Sequence, residues 1–339
     1  MRSLESDWAC ASSRIWRKKG SMDGIALLVA LIAAATVSIR EFDLPTRDAL
    51  PHDPAVGPDA SLWVTEQKAN KLGRLDPKSG RLREYSLPTA DSGPHGLVAD
   101  REGQIWFTAN YKGYIGKLDP KSGKVVEFPV PLANADPHTP AIDSRGMLWF
   151  TMQRANHVGR LDPQSGKFEL REVPTRGASP YGIVISAQGV PVFCEFGSNK
   201  LASIDPETMA IREHTLPKGA RPRRLAVAPD GSIYYSDHAR GYLGRLDPAT
   251  DKVEEWPSPG GPSSRPYGIA IVPDGTVWYS ESGVTPNTLV RFDPRSKQFS
   301  STPIPSGGGV VRNMVATPSG QLYLACSGVN KVAVVDVAR

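Results

Sequence analysis

A unit of about 43 residues recurs along the chain, and a repeat of that length restricts the fold more than any other feature of the sequence. Copies aligned on a recurrent Pro-His or Pro-Tyr begin at Pro51, Pro94, Pro137, Pro180, Pro222, Pro266 and Val311, spaced 43, 43, 43, 42, 44 and 45 residues apart. Each copy reads in the same order, as in PHGLVADREGQIWFTANYKGYIGKLDPKSGKVVEFPVP from Pro94. An apolar segment, a Gly turn, an aromatic segment, a polar turn, a stretch such as IGKLDP, a Lys-Ser-Gly turn and a final segment parse as four short strands. A period in the forties with four strands per copy predicts a β-propeller, because one small sheet cannot bury its faces alone and stacked blades can. The 32 Gly and 31 Pro fit a chain of many turns.

The seventh copy stops at VAVVDVAR, without the final segment that ends the other six: REYSLP at Arg83, VEFPVP at Val126, ELREVP at Glu169, REHTLP at Arg212, EEWPSP at Glu254 and SSTPIP at Ser300. REFDLP, Arg40 to Pro45, is such a segment with no body before it. It predicts that the N-terminal segment becomes the outer strand of blade seven and removes an open sheet edge. The expected fold is all-β, one seven-bladed propeller over residues 40–339.

Before the repeats, Arg14, Arg17, Lys18 and Lys19 precede the apolar stretch Ile25–Ile39, with Ala33 and Ala35 spaced like a small-residue cleavage site. This pattern reads residues 1–35 as an export signal and the protein as periplasmic or extracellular. The 15 apolar residues fall short of the ~20 that span a bilayer, so cleavage is favoured over an N-terminal anchor. A buried helix is the third reading. An uncleaved anchor is the only membrane contact expected. Five Lys/Arg against three Asp/Glu in residues 1–35 leave +3 of the formal +5 for the remainder, too little to expect a nucleic-acid partner. Cleavage would remove Cys10 and leave Cys194 and Cys326 in different copies, where spacing makes no case for a disulfide.

Most conspicuous residues have structural explanations. The aromatic segments LWV, IWF, LWF, IYY, VWY and LYL are expected in the core between blades. Asp76, Asp119, Asp162 and Asp247 precede Pro and a turn, where a carboxylate caps backbone amides. Asn70, Asn156, Asn199 and Asn330 suit tight turns with positive φ.

Two series keep their place in the repeat while changing type. After the starting Pro come His52, His95, His138, Tyr181, Arg223, Tyr267 and Arg312; fourteen residues on come Glu66, Ala109, Met152, Glu195, Asp237, Glu281 and Cys326. A strand of about six residues, a turn and an antiparallel return bring both series to one rim. DPH, with Asp136 and His138, has the composition of a proton-transfer unit, and His95 one blade earlier could act as acid or polarise a carbonyl. The alternative is that these histidines are inherited with the repeat and cap the inner strands. His52, Tyr181, Arg223, Tyr267 and Arg312 are candidate ligand contacts, the arginines as carboxylate or phosphate partners. Pairing of Arg223 with Asp237 is the competing structural account.

The pattern of PHG or PYGI, LWFT, NKLGRLD and REYSLP, in seven copies with a closing strand, resembles the streptogramin B lyase family, also called virginiamycin B lyases, over about residues 40–339. The resemblance implies a seven-bladed propeller that uses Mg²⁺ to linearise a cyclic depsipeptide antibiotic by β-elimination, and hence a role in antibiotic resistance. The family's working residues would fall at Tyr267, Val310, Arg312 and Cys326, and all four differ from the family's pattern. The nearest substitute is His95, Asp136 and His138, with Met152 where a Glu would stand; His52 with Glu66 lacks the acid at Leu50. A weaker resemblance, to gluconolactonase-like propellers, would make Glu66, Glu195, Asp237 or Glu281 metal ligands in lactone or ester hydrolysis. Three functions stay open: a lyase with His138 as base, a metal-dependent hydrolase, and a monomeric binding propeller whose face takes a small-molecule or peptide-like ligand.

Overall fold

The computed structural model describes residues 37–337, so the signal assigned to residues 1–35 lies outside the described residues. Seven four-stranded antiparallel sheets follow one another, the first six each built from consecutive strands. Blade one comprises Pro51–Val56, Leu62–Glu66, Lys71–Leu75 and Leu82–Ser86 from the axis outward, and the next five repeat the order. The described residues contain no α-helix, only a 3₁₀ turn at Ser327–Val329.

The seventh blade closes as expected. Its three C-terminal strands, Val311–Ala316, Leu322–Cys326 and Lys331–Val337, are completed by Val37–Asp43, which pairs with Lys331–Val337 in continuous register from Val37↔Val337 to Asp43↔Lys331. The strand begins three residues earlier than Arg40, so Val37 and Ile39 belong to the propeller and pack on its core. Glu41 ties it sideways to blade six by accepting the Ser306 amide at 2.9 Å.

Seven apolar clusters fill the seven blade interfaces. Trp63 and Tyr85 of blade one meet Leu97 and Phe107 of blade two, and the ring shuts where Tyr323 of blade seven meets Leu62 and Leu44. The repeated Gly of the third strand makes room for these rings: a Cβ at Gly116 would run into the Phe107 ring. The four LDP aspartates cap turns, as Asp119 does for the Lys121 amide at 2.9 Å and the Ser122 hydroxyl at 2.7 Å. Asn70, Asn156 and Asn330 take positive φ of 56° to 57°; Asn199 does not. Cys194 and Cys326 are buried free thiols.

Candidate functional site

Each inner strand starts at one rim of the central channel, and its first residue pairs in register with the last residue of the second strand, as Pro51 does with Glu66 and Pro180 with Glu195. The two variable series therefore share a rim. Hydroxyls one residue before the second series help pin the first in place. Thr65 Oγ1 donates to the His95 carbonyl of the next blade at 2.7 Å, Thr108 to that of His138 at 2.7 Å, and Thr151 to that of Tyr181 at 2.6 Å.

The pinned side chains form an aromatic arc. His52 and His95 have ring centroids 3.7 Å apart, His95 and His138 3.7 Å, and His138 and Tyr181 4.0 Å. The Tyr181 and Tyr267 hydroxyls share a hydrogen bond of 2.5 Å. All three histidines are buried, and burial, followed by Arg312 for His52, by His52 for His95 and by His95 for His138, pushes their proton affinity well below the ordinary value. They are neutral at pH 7.

Beneath the arc a polar chain crosses the channel. His52 Nδ1 donates to Asp53 Oδ1 at 2.9 Å; Arg224, from blade five, donates to the same oxygen at 2.6 Å and to Thr139 Oγ1 at 3.1 Å; Thr139 meets His138 Nδ1 at 2.9 Å. Blades one, three and five are thus joined at the axis. On the far side of this plug lies a funnel of about 540 Å³ lined by inner-strand residues such as Val56, Val98 and Ile185. Sequence reasoning missed Asp53, Thr139 and Arg224. The signal was there, since the third position of the copies is Gly at Gly96, Gly182 and Gly268 and polar in the rest.

Arg223 lies at the mouth, its guanidinium 3.9 Å from the Tyr267 ring centroid, 4.8 Å from Phe196 and 5.1 Å from Tyr181. It donates to His238 Nε2 at 2.8 Å, and His238, depressed to about 4 by burial and then by Arg223, is the neutral acceptor. Asp237 is not its partner: that carboxylate pairs with Arg240 Nε at 2.5 Å and accepts the Arg221 amide. Asp136 likewise does not reach His138. It accepts the amides of Arg154 and Ala155 at 2.8 and 3.1 Å and pairs with Arg154 Nε at 3.2 Å, capping a turn in its own blade. His95 and His138 come together as expected; Asp136 stands apart from them.

The profile of the Virginiamycin B lyase family matches residues 15–204 and 173–338. The chain belongs to the virginiamycin B lyase family. A search of curated proteins finds no match. Among solved structures, a streptogramin B lyase aligns with a TM-score of 0.82 at 25% identity, covering 89% of this chain and 98% of the other. A catalytically inactive virginiamycin B lyase from Staphylococcus aureus with quinupristin aligns at 0.81 and 22% identity, over 89% and 100%. Hydrazine synthase of Kuenenia stuttgartiensis, at 0.71 and 15% identity over 86% and 96%, shares the fold alone.

For a member of the virginiamycin B lyase family, the donors for Mg²⁺ are poorly placed. Tyr267, Val310, Arg312 and Cys326 offer no carboxylate, and the Cys326 thiol is buried and raised above its ordinary value. The four acidic residues of the second series stand in four different blades, each buried. Glu281 accepts from Ser258, the Gly260 amide and Thr288 at 2.5 to 2.6 Å, Glu195 from Ser198 at 2.8 Å, and Asp237 is paired as above. Glu66 has no hydrogen-bond partner, and burial, then the neighbouring Glu84, raise it to about 8. Among the described residues, the set with ligand atoms close together is His52, Asp53 and His95. Mg²⁺ takes oxygen ligands in an octahedron, whereas this set is mostly nitrogen and its carboxylate already holds Arg224. These residues do not fit Mg²⁺.

Proposed function

We propose that this virginiamycin B lyase family member is a binding propeller, presenting the channel mouth of blades four to seven to a small-molecule or peptide-like ligand. The observation that carries this reading is that Arg223 and Arg312, half-buried at the mouth, have no carboxylate partner among the described residues. Arg223 is also framed by the rings of Tyr267, Phe196 and Tyr181, and a half-buried cation held against aromatic rings makes a recognition surface. The elimination reading lacks comparable support, because a base needs proton affinity and an orienting acid. His138 has its affinity depressed, and its supposed partner Asp136 caps a turn.

The test is to incubate the protein with quinupristin, with and without Mg²⁺, and follow it by mass-resolved chromatography. Quinupristin should be recovered intact. A product of unchanged mass that disappears with His138→Ala would overturn the proposal in favour of the lyase, and one heavier by a water would favour a hydrolase.

We also propose export as a monomer. The closing strand starts at Val37, so cleavage after Ala35 would leave it whole. Once Val37–Ile39 are in that strand, Ile25–Thr36 offers 12 residues, further short of a span than the whole stretch. Mass spectrometry of the mature protein should find Thr36 first, and light scattering should find one chain per particle.

A further inference from the structure

The charges at the channel mouth do not balance. Arg223 and Arg312 hold the same place in their inner strands as His52 does in blade one, and after burial itself Arg312, Arg224 and Arg223 all lower the proton affinity of the His52 ring. The acid facing them is Asp53, already bound to Arg224 at 2.6 Å. The histidines of the arc are neutral, Glu195, Asp237 and Glu281 are engaged by the partners given above, and Glu66, raised to about 8 by burial, keeps its proton at pH 7. Three permanent cations thus meet one anion.

Hydrogen bonding is unbalanced in the same place. The Nε groups of Arg223, Arg224 and Arg312, and Nδ1 of His95, are buried without a partner. Arg224 and His95 are 2% and 5% exposed, so solvent hardly reaches them. Buried donors are normally satisfied. His238, which accepts from Arg223, also lines an open recess of about 710 Å³ with Ala239, Pro262, Ser263, Arg265 and Gly283. Arg265 is a further cation without an ion-pair partner among the described residues, and the faces of Tyr267 and Phe196 border Arg223.

We propose that the ligand of this mouth is an organic dianion, a dicarboxylate whose acidic groups meet Arg223 and Arg312 while its body lies toward the recess and the aromatic faces. This rests on the binding reading above and specifies the ligand's charge. Guanidinium forks suit carboxylates, and two charges in the ligand would offset the excess.

Calorimetry at low ionic strength would use the full chain with benzene-1,3-dicarboxylate, its uncharged diamide, inorganic phosphate and quinupristin. The diacid should bind one to one. Arg223→Gln and Arg312→Gln should each weaken it at least tenfold while keeping the wild-type near-UV circular dichroism, and the diamide should not bind. His52 and His95 imidazole signals should move in proton NMR as the diacid is added, locating it at the arc. Diamide binding equal to diacid binding, or indifference to both arginines, would overturn the dianion and leave a binding propeller. Binding of phosphate alone would overturn the organic ligand. No binding by any of the four probes would overturn the dianion and the binding reading together.

Discussion

Replacing Glu66 by Gln should remove a pH-dependent weakness from blade one. Glu66 is fully buried at the end of the second strand, and neither carboxyl oxygen has a hydrogen-bond partner. Its neighbour Glu84 is ionised and occupied, paired with Lys71 at 2.6 Å and accepting the Thr46 hydroxyl at 2.8 Å. Burial and then repulsion from Glu84 raise Glu66 from 4.5 to about 8, partly offset by Lys71. Between pH 4.5 and about 8 the folded protein keeps a proton that the unfolded chain has released. Stability from this group is therefore complete below 4.5, falls through that window and levels off above it. At 1.36 kcal/mol per pH unit the whole displacement is worth at most about 5 kcal/mol. The glutamine amide imitates the protonated acid at every pH, so urea unfolding should show Glu66→Gln gaining about 2–5 kcal/mol on wild type between about pH 5 and pH 9. Parallel stability curves for the two proteins would refute the assignment. Glu195, raised from 4.5 to about 7 chiefly by burial, should add a smaller total loss over that narrower window, common to both.

Other expectations concern the parts that hold the arc and the ring. Thr108→Val removes the hydroxyl that bonds the Gly96 amide at 2.9 Å and the His138 carbonyl at 2.7 Å, and should cost about 1–3 kcal/mol in urea unfolding. Asp53→Asn leaves Arg224 buried without a carboxylate and should cost about 3–5 kcal/mol, most of it recovered in Asp53→Asn/Arg224→Met; a double variant as unstable as the single would argue against a charge effect. Glu41→Gln weakens the tie to Ser306 and should cost about 1 kcal/mol, with faster amide exchange in Val37–Asp43 than in the outer strands of other blades.

By itself the sequence determined the blade count, the strands within each blade and the closing role of REFDLP, because period-two patterning and turn residues act over short stretches and are legible one copy at a time. It also determined which rim positions vary, since departures from a repeat stand out against the copies. Only the tertiary structure decided what those positions do. Asp136 and His138 are two residues apart, yet Asp136 precedes the inner strand and turned to its own blade's amides, while His138 within it joined the arc. Asp53 and Arg224, 171 residues apart, became partners because inner strands from opposite parts of the ring converge on one axis. Glu66, Glu195, Asp237 and Glu281 are equivalent in the repeat but stand in four different blades, so equivalence in sequence did not bring them together. The surplus of arginine over carboxylate at the mouth has the same origin: charge balance is settled over distances in space, where the closure of the ring chooses the neighbours.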